Sequence, residues 1–221
     1  MNDSQTKAWE RLRADFVIEL PGERHKPDVA AADVDLAAEF GRNAPLIVEI
    51  GSGTGESLAA MAATRPQANV LAFEVFEPAV ASTMARLNRE GVTNVRIMLA
   101  DGTEGLREFV TAGGLDELWT YFPDPWHKAR HHKRRLIGGD FVALVTEKLR
   151  VGGRWLIATD WDDYHEWITE TLGVSTALRP APIEPMGPDA RPFGRPLTKY
   201  ERRGIAAGRQ IHELAYVKVE S

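Results

Sequence analysis

Short apolar runs recur along the chain at intervals that leave room for one helix between them. The runs "PLIVEI" (45–50), "NVLAFEV" (69–75), "NVRIMLA" (94–100), "ELWTYF" (117–122) and "RWLIATD" (154–160) are rich in β-branched, leucine or aromatic residues, and Pro, Gly, Asn or charged residues bound them. Runs of that length and character predict buried strands. Between the first two lies "ESLAAMAATRP", an alanine-rich helical stretch stopped near Pro66. After the second, "PAVASTMARLNREG" opens on Pro and closes on Gly, as helices prefer. This alternation predicts βαβ units and an α/β fold. The expected architecture is a doubly wound, mostly parallel sheet with helices on both faces, closed by an antiparallel strand within "GRQIHELAYVKV" at the C-terminus.

Two segments depart from the pattern. Residues 1–40 are polar and only weakly helical, which suggests an arm or flap ahead of a single domain spanning 41–221. Residues 179–197, "RPAPIEPMGPDARPFGRPL", hold nearly half of the 13 prolines and read as a stiff, irregular loop. Loops that long in compact domains are usually functional or disordered.

Composition narrows the chemistry. There is no cysteine, which excludes a disulfide framework, a thiolate metal site and a cysteine nucleophile; no metal is expected. No apolar run reaches membrane-spanning length, and "MNDSQTKAWERLR" lacks the apolar stretch of a signal peptide, so a cytoplasmic protein with no membrane partner is expected, as monomer or homodimer. The net charge of -5 argues against coating nucleic acid with the whole surface, but permits a local basic patch.

Candidate chemistry begins at "VEIGSGTGES", where the first strand turns into the first helix of the sheet. Gly51, Gly53 and Gly55 form G-x-G-x-G rather than the dinucleotide G-x-G-x-x-G. Such a turn brings backbone close to a ligand at a helix N-terminus. A pyrophosphate cofactor is one candidate and S-adenosylmethionine the other. Glu49, two residues before the first glycine, would repel a pyrophosphate and attract an ammonium or sulfonium group. Glu74 ends the second strand, where an acid accepts ribose hydroxyls, and Asp101 ends the third. Wet loops at strand ends carry acids for ordinary reasons too. The ordered set of Glu49, Gly51, Gly53, Glu74 and Asp101 favours S-adenosylmethionine.

The fourth strand runs into "FPDPWHKARHHKRRL" (122–136), which holds five of the 27 Lys and Arg residues and three of the six His. Pro123 and Pro125 limit the backbone freedom of Asp124. Trp126 is placed to stack on a base, and Lys128, Arg130, Lys133, Arg134 and Arg135 to bind phosphates. A solvated charged face is the bland alternative for the run, and a core aromatic for Trp126.

Taken together, "VEIGSGTG", "FPDPWHKARHHKRR", "ATDWDDYHEWITE" and "TKYERRGIAAGRQIHEL" resemble the bacterial tRNA (guanine-N7-)-methyltransferase family, of the class I S-adenosylmethionine-dependent type, in order and spacing over most of the chain. The resemblance implies a Rossmann-like methyltransferase sheet and transfer of a methyl group to N7 of a guanine in the tRNA variable loop. It also implies that Glu49, Gly51, Gly53, Glu74 and Asp101 bind S-adenosylmethionine. Asp124 falls on the family's active-site aspartate, which also lies against the cofactor. Lys128, Asp160, Thr198, Lys199, Tyr200 and Glu201 fall where the family binds substrate. The family's basic arm is represented here by Arg11, Arg13, Arg24 and Lys26. Two alternatives stand beside these roles: Asp160 as the N-cap of a helix beginning "WDDYHEW", and Glu201 pairing with Arg202 or Arg203.

Overall fold

The computed structural model describes residues 1–23, 26–28, 33–186 and 189–220, without the side chains of residues 23, 26 and 27. Arg24 and the side chain of Lys26 therefore lie outside the described residues, as do Gly187 and Pro188 of the proline-rich segment. The chain forms two compact units, Met1–Thr111 and Ala112–Ser221.

The first unit carries strands β1 (Leu46–Ile50), β2 (Asn69–Glu74) and β3 (Val95–Leu99). They are parallel, in the order β3-β2-β1, with Val48 opposite Leu71 and Ala72 opposite Ile97. Val70, Leu71 and Ala72 are fully buried, as expected for a parallel strand covered on both faces. The helices are α1 (Asp3–Phe16), α2 (Leu36–Phe40), α3 (Glu56–Ala63), α4 (Glu77–Glu90) and α5 (Gly102–Phe109). Pro78 stands in the first turn of α4, and Gly91 ends that helix in the left-handed conformation, as the sequence predicts.

The polar N-terminal segment hides an apolar stripe. Ala8, Trp9, Leu12 and Phe16 recur at helical spacing and are all buried on α1. Its Gln5 amide donates to the Pro78 carbonyl and to Ser82 Oγ of α4, both at 3.1 Å.

The second unit carries β4 (Leu115–Tyr121), α6 (Gly139–Lys148), β5 (Leu149–Thr159), α7 (Asp162–Gly173), β6 (Leu178–Pro180), α8 (Lys199–Ala206) and β7 (His212–Lys218). Strand order is β4-β5-β7-β6. β4 and β5 are parallel, while β7 runs antiparallel to both β5 and β6, so the closing strand has the expected direction. The proline-rich segment departs from the expected irregular loop. Its first residues belong to edge strand β6, and Pro185–Met186 pair with Arg191–Pro192 in a short antiparallel ladder. Edge positions need only half of a strand's hydrogen bonds, so proline is tolerated there. No helix among the described residues is long and apolar enough to cross a membrane, and no group of His, Asp or Glu among them is arranged to hold a metal.

Candidate active site

In the first unit the carboxyl ends of the strands bring the predicted acids to one edge. Glu49 lies one residue before the end of β1 and is buried, while Glu74 is the last residue of β2. Gly51, Gly53 and Gly55 all take positive φ, between 54° and 76°. A Cβ on Gly55 would sit 2.7 Å from Thr83 Cγ2, whereas one on Gly51 would meet nothing within 4 Å. The loop is thus packed on its α4 side and open at its tip. Thr83 Oγ1 donates to the Gly53 carbonyl at 3.0 Å, and Arg86 Nε donates to the Thr54 carbonyl at 3.3 Å.

Glu74 shapes the same loop. Its Oε2 accepts from Gly53 N at 2.8 Å, and its Oε1 accepts from Val75 N and Phe76 N, each at 2.9 Å. A carboxylate offers about four lone-pair positions, so Oε2 retains one for a ligand hydroxyl. Asp101 is the N-cap of α5, with Oδ1 accepting from Thr103 N at 2.9 Å and Glu104 N at 3.0 Å. Its Oδ2 carries neither of these bonds.

In the second unit, β4 ends in a turn with unusual backbone. Phe122 and Trp126 adopt φ of 52° and 42° on either side of Pro123-Asp124-Pro125. Left-handed φ at such residues costs about 1–3 kcal/mol each and is found where surroundings over-determine the chain. The Asp124 side chain is exposed and lines an open pocket of about 370 Å³ with Pro125, Trp126, His127, Lys128 and His131. Trp126 is half-buried, with the Arg134 guanidinium 5.1 Å from its ring centroid. The basic run continues as a 3-10 helix, Ala129–Arg134. Lys128, Arg130, Lys133 and Arg134 are exposed. Arg135 is not: its side chain is 1 % exposed and bonded to Pro125 and Asp163. Of the five bases expected to bind phosphates, Arg135 turns inward, which corrects that expectation for it, while the other four stay exposed.

Asp160 directly follows β5, but Trp161 is the N-cap of α7, so the capping alternative does not hold. Asp160 Oδ2 instead accepts from Arg209 Nε at 2.8 Å, and a side chain on Gly204 of α8 would strike it at 2.7 Å. Thr198 is the N-cap of α8 and accepts from Glu201 N at 3.3 Å. Lys199 and Tyr200 are exposed. Glu201 is 3 % exposed and pairs with Arg191 and Arg195, not with Arg202 or Arg203. Arg195 is fully buried, also pairs with Glu213 of β7, and lies 5.0 Å from the Phe122 ring centroid. Burial pushes the Glu213 carboxyl above the usual range, against the pull of Arg195.

The chain matches the model of a putative methyltransferase family over residues 43–214. A tRNA (guanine-N(7)-)-methyltransferase of Cutibacterium acnes is 46% identical over all of this chain and 80% of its own length. One of Nocardioides sp. is 48% identical over 86% of this chain and 75% of its own, and one of Yersinia pseudotuberculosis is 44% identical over 86% and 79%. The chain belongs to the tRNA (guanine-N7-)-methyltransferase family. More distant solved structures share the fold. A 16S rRNA methyltransferase superposes with a TM-score of 0.58 at 14% identity, covering 86% of this chain and 94% of that one. A putative methyltransferase from Streptococcus mutans in complex with SAH gives 0.51 at 14% identity, covering 79% and 89%.

Membership of this methyltransferase family implies S-adenosylmethionine, and the first unit fits it. The loop tip is open at Gly51. Ser52 Oγ is buried and bonded to no protein group among the described residues. Phe76, beside Glu74, leaves an aromatic side chain 62% exposed, suited to cover a purine. The sequence assigns no role to Thr83, Arg86, Asp163, Arg195 or Arg209, and it casts Arg135 as a phosphate ligand. Thr83 sits in an ordinary helical pattern, and the arginines are told apart from surface bases only by partners distant in sequence.

Proposed function

We propose that the protein transfers the methyl group of S-adenosylmethionine to N7 of a guanine in the variable loop of tRNA, in the cytoplasm, as a monomer or homodimer. The observation that carries this reading is the 44–48% identity with relatives of that name over 86–100% of this chain. In the same reading residues 41–221 are the methyltransferase domain and residues 1–40 an N-terminal arm or flap, whose helix α1 is bonded to α4.

S-adenosylmethionine, when bound, supplies an electrophilic methyl group on a sulfonium sulfur. Glu74 holds a ribose hydroxyl through its remaining lone pair, Glu49 faces the cationic end, Gly51 leaves the loop tip open to the ligand, Gly53, tied to Glu74 and Thr83, sets the turn that borders it, and Asp101 borders the adenine. Guanine N7 carries a lone pair and no proton, so the attacking atom requires no general base. Asp124 accepts hydrogen bonds from the guanine N1–H and amino group, fixes the ring's orientation and balances the positive charge that the purine gains. Positioning of this kind contributes on the order of 7–11 kcal/mol in favourable cases, and a carboxylate aimed at developing charge adds to it. Exposure of Asp124 in a pocket with Trp126 and Lys128 supports this role. Lys128, Lys199 and Tyr200 present accessible groups to substrate, while Thr198, Glu201 and Asp160 serve by fixing α8.

The test is to incubate bulk tRNA with the protein and S-adenosylmethionine and map N7-methylguanosine by mass spectrometry. The reading expects the modified base in the variable loop, and its absence with active cofactor binding would sink it. Asp124→Asn keeps the shape and removes the charge. It should slow single-turnover transfer at least tenfold, about 1.4 kcal/mol or more in the barrier, with little change in tRNA affinity.

A further inference from the structure

Arg135 closes the basic run, yet it is the member withdrawn from solvent. Its Nε donates to the Pro125 carbonyl at 2.9 Å and its Nη2 to Asp163 Oδ2 at 2.7 Å. The guanidinium carbon lies 4.9 Å from the Tyr164 ring centroid and 5.3 Å from that of Trp167. The arginine therefore reaches back ten residues to the carbonyl that follows Asp124, and α7 supplies its counter-charge and both aromatic rings. α7 grips the same stretch twice more. Tyr164 Oη accepts from Ile137 N at 3.1 Å, and Trp167 Nε1 donates to the Ile137 carbonyl at 2.7 Å.

This anchoring meets a specific need. Phe122 and Trp126 hold left-handed φ around Asp124, a conformation that relaxes unless neighbouring contacts fix it. A planar guanidinium with several donors in fixed directions suits that task, since one group bonds a carbonyl and a carboxylate at once while its faces stack on rings. A buried guanidinium is also unsuited to a phosphate contact, because leaving Asp163 and the two rings would expose it at the cost of every partner it has here.

We propose that Arg135 is a positioning residue for Asp124, holding the Pro-Asp-Pro turn in its reactive geometry through the Pro125 carbonyl, and that it takes no part in binding tRNA. The inference rests on the role assigned to Asp124 above. Asp163 is the second half of the device. It keeps the guanidinium oriented, so the two residues act as one unit.

Single-turnover methyl transfer at saturating tRNA and cofactor, together with tRNA affinity across a salt series, separates this role from its rivals. Arg135→Met should lower the rate at least tenfold and leave both the affinity and its salt dependence as in the wild type. Asp163→Ala should lower the rate less, and the double variant should be no slower than Arg135→Met alone. Asp163→Asn, which keeps an acceptor, should recover most of the loss. In an Asp124→Asn background, Arg135→Met should have little further effect, whereas a merely structural residue would slow that background as well. A wild-type rate for Arg135→Met overturns the proposal, and so does a salt slope reduced by about 0.7 to 0.9, the signature of one lost phosphate contact. If Arg135→Met proves unfolded by circular dichroism, Asp163→Ala decides: a slower rate at unchanged affinity upholds the proposal and a wild-type rate overturns it. Wild-type protein that methylates no tRNA would refute the reading of Asp124 itself. Active wild type with unaffected variants refutes the positioning role alone.

Discussion

Glu74 and Asp101 in the first unit accept from backbone N–H groups of their own or neighbouring loops, whereas Asp160, Asp163 and Glu201 in the second accept from arginine side chains. The first arrangement binds backbone and is mostly local. Glu74 bonds residues one and two positions ahead of it, with Gly53 N 21 residues back as its one distant partner, and Asp101 bonds residues two and three ahead. A backbone N–H points where the turn directs it, so these acids shape the loop while each keeps lone-pair capacity for a ligand. The second arrangement joins side chain to side chain, from the 6 residues between Arg195 and Glu201 upward, and is partly buried. Asp160 and Arg209 are 49 residues apart, Arg135 and Asp163 28. Charges removed from water hold their places only while paired, so these networks fix geometry and are sensitive to the loss of one member. One half of the molecule is thus organised to leave acids available to a small ligand. The other spends its acids on holding a strained turn and a short helix still, and leaves Asp124 free of these pairings.

The same substitution in each region sharpens the contrast most. Glu201→Ala removes a partner of the fully buried Arg195 and should destabilise the protein by about 3–5 kcal/mol, the usual cost of breaking a buried pair. Asp101→Ala removes an N-cap and should cost about 1 kcal/mol. Urea denaturation followed by tryptophan fluorescence measures both. Equal losses would break the distinction between local and networked acids.

Alkaline pH probes the second region next. Tyr164 is buried, and burial, with the Asp124 charge as a lesser contributor, pushes its hydroxyl up to about 12 from the ordinary value of 10. The folded state thus holds a proton that the unfolded chain releases above pH 10. This contribution is complete below pH 10 and is lost as pH rises from 10 to 12, amounting to about 2–3 kcal/mol. Tyr164→Phe should flatten that part of the stability profile. An unchanged alkaline slope in the variant would show that Tyr164 is not the group responsible.

The two regions also differed in how far they were legible in the sequence. Five parallel-strand segments, the glycine turn and its flanking acids were readable because their logic is local: runs of apolar residues, glycines at fixed spacing, acids at strand ends. The helix α1 was harder, since its four buried residues sit among charges and its mean character is polar. In the second unit the strained turn was foreshadowed by its prolines, but the fate of each base was not. Arg134 and Arg135 are adjacent and chemically identical, yet one lies exposed over Trp126 and the other is buried against α7. Asp160 was as good a candidate for a helix cap as for a substrate contact, and the partner that it pairs with, Arg209, comes 49 residues later. Family resemblance marked Glu201 without indicating that its partners are Arg191 and Arg195.

Glu74 tests whether the local acids hold ligand as well as loop. Glu74→Ala should weaken S-adenosylmethionine binding by about 1–3 kcal/mol in calorimetry, the range for a hydrogen bond to a charged group. Glu74→Gln keeps an acceptor for the Val75 and Phe76 N–H groups, so it should retain more of the loop geometry and lose less. Identical affinities for all three proteins would mean that Glu74 serves the loop alone.

The smallest effect concerns the exposed bases, where the second unit behaves as a surface rather than a network. Lys128, Arg130, Lys133 and Arg134 are solvent-accessible, so each is available to displace a counterion from a tRNA phosphate. Four such contacts predict a slope of about -3 in log affinity against log salt, and replacing Lys133 and Arg134 by Ala should reduce its size by roughly 1.5. Cofactor affinity should stay unchanged, because these side chains are not among those that shape the glycine loop. Global stability should move by less than about 0.5 kcal/mol, as for other exposed positions. That last measurement separates the run from the buried arginines of the same unit. If the Lys133 and Arg134 variant lost as much stability as Glu201→Ala, the exposed bases would belong to the network, and the division between binding surface and buried scaffold would fail within the second unit itself.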